Sequence, residues 1–333
     1  MYDFFIGIDV SKCWIDVAYR GTGKTTYLDQ FANTPDGYEQ MVSQLQGVSS
    51  CSSEQWLVCL ENTGSYSAGL CRWLWDQQIP YKEEMPLRIS KSTGLSRGKS
   101  DKYDAKDICQ YAFEKRDDIQ ADVPDDGDCD KLRKLISRRN FLVKQKTSVT
   151  TSLEEQKTEF DTETYVRLQK QNEELLETLE QQIEDMDKMI SEVIKQDKSM
   201  QKNDELIRSV IGVGPVISAT LIAYTNNFTR FRDARKLANF ISIAPHPNQS
   251  GTTKNGKDSV HPFGNKYIKS LLSNGAQSAI RYDREIKTYF KRKKEEGKEY
   301  GKIMNAVKNK LLHRIYAVVK RGTPYVPLGN YAC

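Results

Sequence analysis

The sequence predicts an α/β amino-terminal domain, a coiled-coil middle and a mainly α-helical carboxy-terminal domain. Three observations lead there. Over residues 1–116, short apolar runs alternate with stretches of helical spacing. From Lys131 to Lys198 there is no glycine or proline, and Lys, Glu, Gln and Leu dominate. Beyond that point, glycine turns separate helical segments and the charge becomes strongly positive. The expected divisions are 1–116, 117–200 and 201–333, and a chain of 333 residues is long enough for several cores.

In the first division, Phe4–Val10 is an apolar run with one acid, Asp9, embedded in it. Trp14–Tyr19 and Thr25–Phe31 follow as strands, separated by a turn at Gly21–Gly23. Thr34–Leu45 opens with Thr-Pro and turns helical, and Gln55–Leu60 is a further strand, ending at Glu61. Tyr66–Gln77 reads as helix, Tyr81–Met85 as strand, and helix resumes at Pro86. This order is that of an RNase H-like sheet, in which the first and fourth strands are neighbours. Asp9 and Glu61 would then meet at one end. A lone acid in an apolar strand is expensive to bury unless paired or bound to metal.

The stretch Gly98–Asp107 completes that set. On a helix, Asp101 and Asp104 sit three apart and point the same way, so their charges repel unless a cation lies between them. Lys102 and Lys106 could equally neutralise a solvated face. Four acids in the order Asp9, Glu61, Asp101, Asp104 match the ligand count that two Mg²⁺ ions need for phosphoryl transfer.

An acidic linker, Asp117–Asp130, leads to the glycine-free region, where Phe160–Thr164 divides Lys131–Glu159 from Tyr165–Lys198. Leu176, Leu179, Ile183, Met186, Ile190 and Val193 follow the 3-4 spacing of a coiled-coil seam. Both oligomerisation and an intramolecular hairpin satisfy it.

Leu206–Tyr224 reads as a helix-hairpin-helix. Gly212 and Gly214 would either expose amides to a DNA phosphate or simply turn the chain between packed helices. After a helix at Lys236–Ala244, Pro245–Gly264 is a polar, basic, small-residue segment, expected as a loop, that contains Ser250. A helix at Asn265–Ile280 follows, and Ala306–Lys320 is helical in period. Lys254, Lys257, Lys266 and Lys269, with the run Lys291, Arg292, Lys293 and Lys294, are candidate contacts to nucleic acid.

Charge supports a polyanion partner. From Met200 onward, 24 lysines and arginines stand against 9 acids, a balance of +15, while the rest carries −10. The seven cysteines are odd in number and lack C-x-x-C spacing, which argues against a disulfide framework or zinc site. Met1–Val10 runs directly into a strand, so no signal peptide is expected. Glycine, proline and asparagine make the uncharged Ser209–Thr229 a poor membrane span. A cytoplasmic, nucleoid-associated protein is expected.

Several motifs then align in order. They are Gly7–Lys12, Leu60–Gly64, Lys99–Asp107, Ile211–Pro215, Ala244-Pro245, Gln249–Gly251, Gly264–Ile268 and Lys310–Gly322. In this the chain resembles the DEDD transposases of bacterial insertion sequences, the Piv-related family of bridge-RNA-guided serine recombinases. It departs from the pattern at Ile211, where relatives often have proline, and at Ser242–Pro245, where Gly-Leu-x-Pro is usual. The resemblance implies a RuvC-like first domain with Mg²⁺ held by Asp9, Glu61, Asp101 and Asp104, and Ser250 as nucleophile. It also implies donor and target double-stranded DNA, a structured non-coding guide RNA, and a homo-oligomer, dimer or tetramer, that assembles the site. The alternative expectation is a RuvC-like nuclease or Holliday-junction resolvase with water as nucleophile.

Overall fold

The computed structural model describes residues 2–62, 64, 66–93, 100–122, 127–231, 233–250, 254–260 and 264–327, with backbone only at 87, 93, 245–250 and 254–260. These residues divide into two compact units, Met1–Pro124 and Asp125–Cys333.

The first unit contains strands β1 (Phe4–Val10), β2 (Trp14–Arg20), β3 (Thr26–Ala32), β4 (Trp56–Glu61) and β5 (Tyr81–Glu84). Its helices are α1 (Pro35–Val48), α2 (Ala68–Asp76), α3 (Pro86–Thr93) and α4 (Asp101–Glu114). The sheet order is β3-β2-β1-β4-β5, with β1 antiparallel to β2 and parallel to β4. The expected adjacency of the first and fourth strands is therefore observed.

Strand alternation decides which side chain faces which helix layer. Ile6, Ile8 and Val10 of β1 and Val58 and Leu60 of β4 join the core formed with Met41 and Leu45 of α1 and Leu70 and Leu74 of α2. Phe5 and the β4 residues Leu57 and Cys59 belong to the opposite core, with Ala105, Ile108, Cys109 and Ala112 of α4. By the same parity Gly7, Asp9 and Glu61 belong to the α4 face. Gly7 lets α4 come close: a Cβ there would lie 2.2 Å from the Cys109 nitrogen and 2.3 Å from the Ala105 oxygen.

The second unit opens with α5 (Gly127–Glu159) and α6 (Thr162–Gln196), two long helices packed on one another as a hairpin. Asp161 caps α6 by accepting from the Thr164 nitrogen at 3.0 Å, so the chain breaks inside the expected Phe160–Thr164 window. Leu179, Ile190 and Val193 of the seam are buried, and Leu176, Ile183 and Met186 are partly so. The bidentate pair Arg139–Asp187 (2.6 and 3.0 Å) and Lys146–Glu180 (2.6 Å) join the two helices along their length.

The base of this hairpin shares a core with α7 (Lys198–Arg208), α8 (Pro215–Thr225), α9 (Ala234–Ile241), α10 (Lys266–Tyr282), α11 (Arg284–Glu295) and α12 (Tyr300–Arg321). Helix α8 is apolar almost all round because it is buried at the centre. That accounts for the uncharged run at Ser209–Thr229, and among the described residues no helix is long and apolar enough to cross a membrane.

Two expectations are corrected. The helix expected to reach Ala244 ends at Ile241, where Ser242 turns left-handed at φ 59°. The segment expected as a loop instead contains an antiparallel pair, β6 (Pro245–Ser250) and β7 (Lys254–Val260), with Ser250 opposite Lys254. Its strands are polar and rich in glycine and proline, so neither alternation nor propensity announces them. Mutual backbone pairing is what makes them strands.

Replacing Gly7 by alanine is expected to push α4 off the sheet. The clash is with backbone, which cannot rotate away, so a loss of roughly 1–3 kcal/mol or more is expected from overpacking. Thermal unfolding of Gly7→Ala measures it, and a melting temperature equal to wild type contradicts the close approach.

Candidate functional site

Residue by residue, the site begins with Asp9, one position short of the end of β1. The last paired couple between β1 and β4 is Ile8–Leu60, so Asp9 and Glu61 follow it on neighbouring strands, each still paired on its other side, to Asp16 and Glu84. Helix α4 starts at Asp101, and its first turn carries both Asp101 and Asp104. Carboxylates there are also favoured by the helix dipole. One carboxylate oxygen from each of Asp9, Asp101 and Asp104 lies within 4.8 Å of the other two. Glu61 stands outside that group of three, though close enough for the Asp104 charge to act on it.

Like charges crowd together at this point. Burial, then the charges of Asp104, Asp101 and Glu61, push the Asp9 carboxyl up to about 6. Burial and then Asp104 also raise Glu61. A divalent cation among these oxygens would reverse both effects, and an all-carboxylate donor set suits a hard ion such as Mg²⁺. Lys102 lies over the Tyr27 ring, its nitrogen 4.8 Å from the centroid, and Lys106 over Tyr103 at 5.9 Å.

Sequence reasoning missed the support around Asp9. Asp16 is its cross-strand partner on β2 and is 3% exposed. Tyr27 donates to one Asp16 oxygen at 2.7 Å and Gln30 to the other at 2.9 Å. The signal was present: Asp16 is an acid inside an apolar strand, as Asp9 is. Asn33 was also unremarked; its amide donates to the carbonyls of Ser11 (2.9 Å) and Tyr66 (3.1 Å), tying the exit of β1 to the chain after Glu61.

The other candidates lie in the second unit. Ser250 is the last residue of β6, and its side chain, like those of Lys254 and Lys257 on β7, lies outside the described residues, as does Gly251. Lys266 and Lys269 occupy the first turns of α10, where the Lys269 charge and burial lower the pKa of Lys308, burial being the larger cause. Gly212 takes φ +96°, and a Cβ on it would sit 2.5 Å from the Gly275 oxygen, so the turn rests against α10. Gly214 is the open N-cap of α8. Lys291–Lys294 line the end of α11; Lys293 pairs with Glu296 at 2.6 Å, and Lys291, Arg292 and Lys294 are exposed.

The raised Asp9 pKa has a consequence for stability. The folded chain binds this proton more tightly than the unfolded chain, so the contribution is most favourable below about pH 4 and is lost as pH rises towards 6. Asp9→Asn is therefore expected to raise the melting temperature at pH 7.5 and change it little at pH 4. Added Mg²⁺ should raise the wild-type value at pH 7.5 and that of Asp9→Asn far less. Calorimetry at both pH values checks this; a destabilised Asp9→Asn at pH 7.5 contradicts it.

Residues 6–159 match the transposase profile of the IS110-type DEDD domain, and residues 204–291 match the profile described as Transposase IS116/IS110/IS902 family. Pilin gene-inverting proteins of Moraxella lacunata and Moraxella bovis are 25% and 24% identical over 326 residues, which is 96% of this chain and 97% of theirs. A 42 kDa protein of the insertion element IS900 from Mycobacterium paratuberculosis is 27% identical over 150 residues, 45% of this chain and 36% of its own length. That family acts on DNA by cleavage and strand transfer, and its DEDD domain implies a divalent metal. The chain belongs to the IS110-type DEDD transposases, enzymes of insertion sequences.

Proposed function

We propose that this transposase is an RNA-guided, site-specific recombinase that cuts and rejoins DNA through a phosphoserine. The observation that carries the reading is the convergence of Asp9, Asp101 and Asp104. Three carboxylates held this close are costly without a cation, and with Glu61 beside them they suit a phosphoryl-transfer centre. When bound, Mg²⁺ would polarise the phosphate and stabilise charge on its oxygens. Asp9, Glu61, Asp101 and Asp104 would hold that ion.

Ser250 is the proposed nucleophile. Its Oγ would give its proton to solvent and bond to phosphorus, while the bond to the leaving sugar oxygen breaks and that oxygen takes up a proton. The phosphodiester is thereby kept as an ester for rejoining, which hydrolysis would lose. The serine lies in the second unit and the acids in the first, so a composite site assembled in a dimer or tetramer fits the chemistry. Inversion of a pilin gene, for which the Moraxella relatives are named, is a rearrangement of this kind. A structured guide RNA would supply target choice by base pairing, which leaves the protein mainly backbone contacts, for which Gly212, Gly214, Lys254, Lys257, Lys266, Lys269 and Lys291–Lys294 are candidates.

A second reading is favoured by one observation: the acid cluster stands within the first unit alone. A RuvC-like nuclease or junction resolvase would use it with water as nucleophile and leave Ser250 idle.

The two readings separate on Ser250→Ala. Wild type with Mg²⁺ and nicked DNA is expected to give a covalent protein–DNA adduct on denaturing gels, mapped by mass spectrometry to the peptide holding Ser250. Ser250→Ala, Asp9→Ala, Glu61→Ala, Asp101→Ala and Asp104→Ala should each remove it, and Asp107→Ala should be mild. Cleavage by Ser250→Ala at the wild-type rate would establish the hydrolytic reading.

Binding to DNA is expected to weaken steeply with salt, because each phosphate contact releases counterions. Changing Lys291, Arg292, Lys293 and Lys294 to glutamine should lower affinity and flatten the slope of log K against log salt. An unchanged slope would move the main contact to Lys254, Lys257, Lys266 and Lys269.

A further inference from the structure

A cavity of about 760 Å³ opens where α10, α11 and α12 meet, beside Ile211 of the Gly212 turn. Tyr282, the last residue of α10, stands on its wall and is 75% exposed. Tyr289 lines it too, with the Lys310 nitrogen 4.6 Å and the Arg292 guanidinium 5.7 Å from its ring centroid. The acids of this corner are already engaged. Arg314 binds Asp283 at 2.7 Å and Glu285 at 2.6 Å, and Asp283 also accepts from the Ile286 nitrogen at 2.9 Å. The corner between α10 and α11 is therefore pinned, which holds Tyr282 at the wall. Arg284, Arg292 and Lys310 remain to give the walls a positive field. Arg292 does approach Glu296, but at 3.7 Å and in solvent, a contact worth little.

We propose that this cavity binds one unpaired nucleotide of a single-stranded segment, its base stacked on Tyr282 and its phosphate held by Arg292 and Lys310. The volume falls within the range of small-molecule pockets, so it admits a nucleotide and not a duplex. Bases in a duplex are already stacked, whereas an unpaired base offers its face to an aromatic ring. An exposed aromatic beside backbone-reaching cations is the composition of single-strand sites. Tyr282 is the platform because two cations already occupy the Tyr289 ring. The proposal rests on the nucleic-acid role of the chain and not on the serine chemistry: it uses neither Ser250 nor the four acids.

The experiment uses the full chain in EDTA, so that no metal-dependent cleavage occurs. Fluorescence anisotropy is read with short labelled oligouridine, oligothymidine and a duplex. Tyr282→Ala is expected to weaken single-strand binding about tenfold or more, with duplex binding nearly unchanged and Tyr282→Phe close to wild type. A loss on oligouridine alone assigns the site to RNA, on oligothymidine alone to DNA, and on both to either strand; each supports the proposal. Oligomers carrying 5-iodouracil should, on irradiation, crosslink to the peptide that holds Tyr282. Unchanged single-strand affinity in Tyr282→Ala, an equal loss on duplex, or a crosslink mapped to another region overturns it. Because adduct formation at Ser250 is not read here, failure of this proposal is distinct from failure of the recombinase reading.

Discussion

The first unit depends on an approach made possible by a missing side chain. Gly7 is the point at which the backbone of α4 comes against β1, too near for any Cβ. That contact sets the height of the helix above the sheet, and its first turn carries Asp101 and Asp104. Strand alternation has already put Asp9 on the same face, two residues beyond Gly7. Apolar packing of Ala105, Ile108, Cys109 and Ala112 then holds three like charges together. Hydrophobic burial elsewhere on the helix offsets the repulsion at its end.

This arrangement brings like charges together at a cost to the fold. The Asp9 carboxyl is displaced to about 6 first by burial and then by the charges of Asp104, Asp101 and Glu61 around it. Asp16, its cross-strand partner, accepts from Tyr27 on one oxygen and from Gln30 on the other. Two neighbouring acids on adjacent strands thus differ in kind, one hydrogen-bonded within the protein and one facing other carboxylates.

Charge is divided unevenly between the units. The acids lie in the first, whereas the serine and most of the positive balance lie in the second, around a core that includes the base of the α5–α6 hairpin. A polyanion is attracted to basic surface and repelled by acids without a cation. In the hairpin, Leu179, Ile190 and Val193 of the seam are buried within the chain, and salt bridges join its two helices.

Much of this could be read from the chain alone. The five strands of the first unit, Asp9 and Glu61 at the ends of neighbouring strands, the helical pair Asp101 and Asp104, and the long helices with a break near Phe160 all follow from periodicity, caps and breakers. These are local signals, repeated over several residues. Tertiary structure alone decided the rest. The β6–β7 pair has no alternation to announce it, because its strands satisfy each other through backbone. The hydrogen bonds of Asp16 depend on Tyr27 and Gln30, which reach it from β3. The Tyr282 cavity draws its walls from three helices and is invisible to any single one of them. Gly7 reads in the sequence as one small residue in a strand; that it must be glycine depends on a helix about a hundred residues away. Sequence carries what a segment's own period and chemistry dictate, and close approach between distant segments depends on the packing of the whole unit.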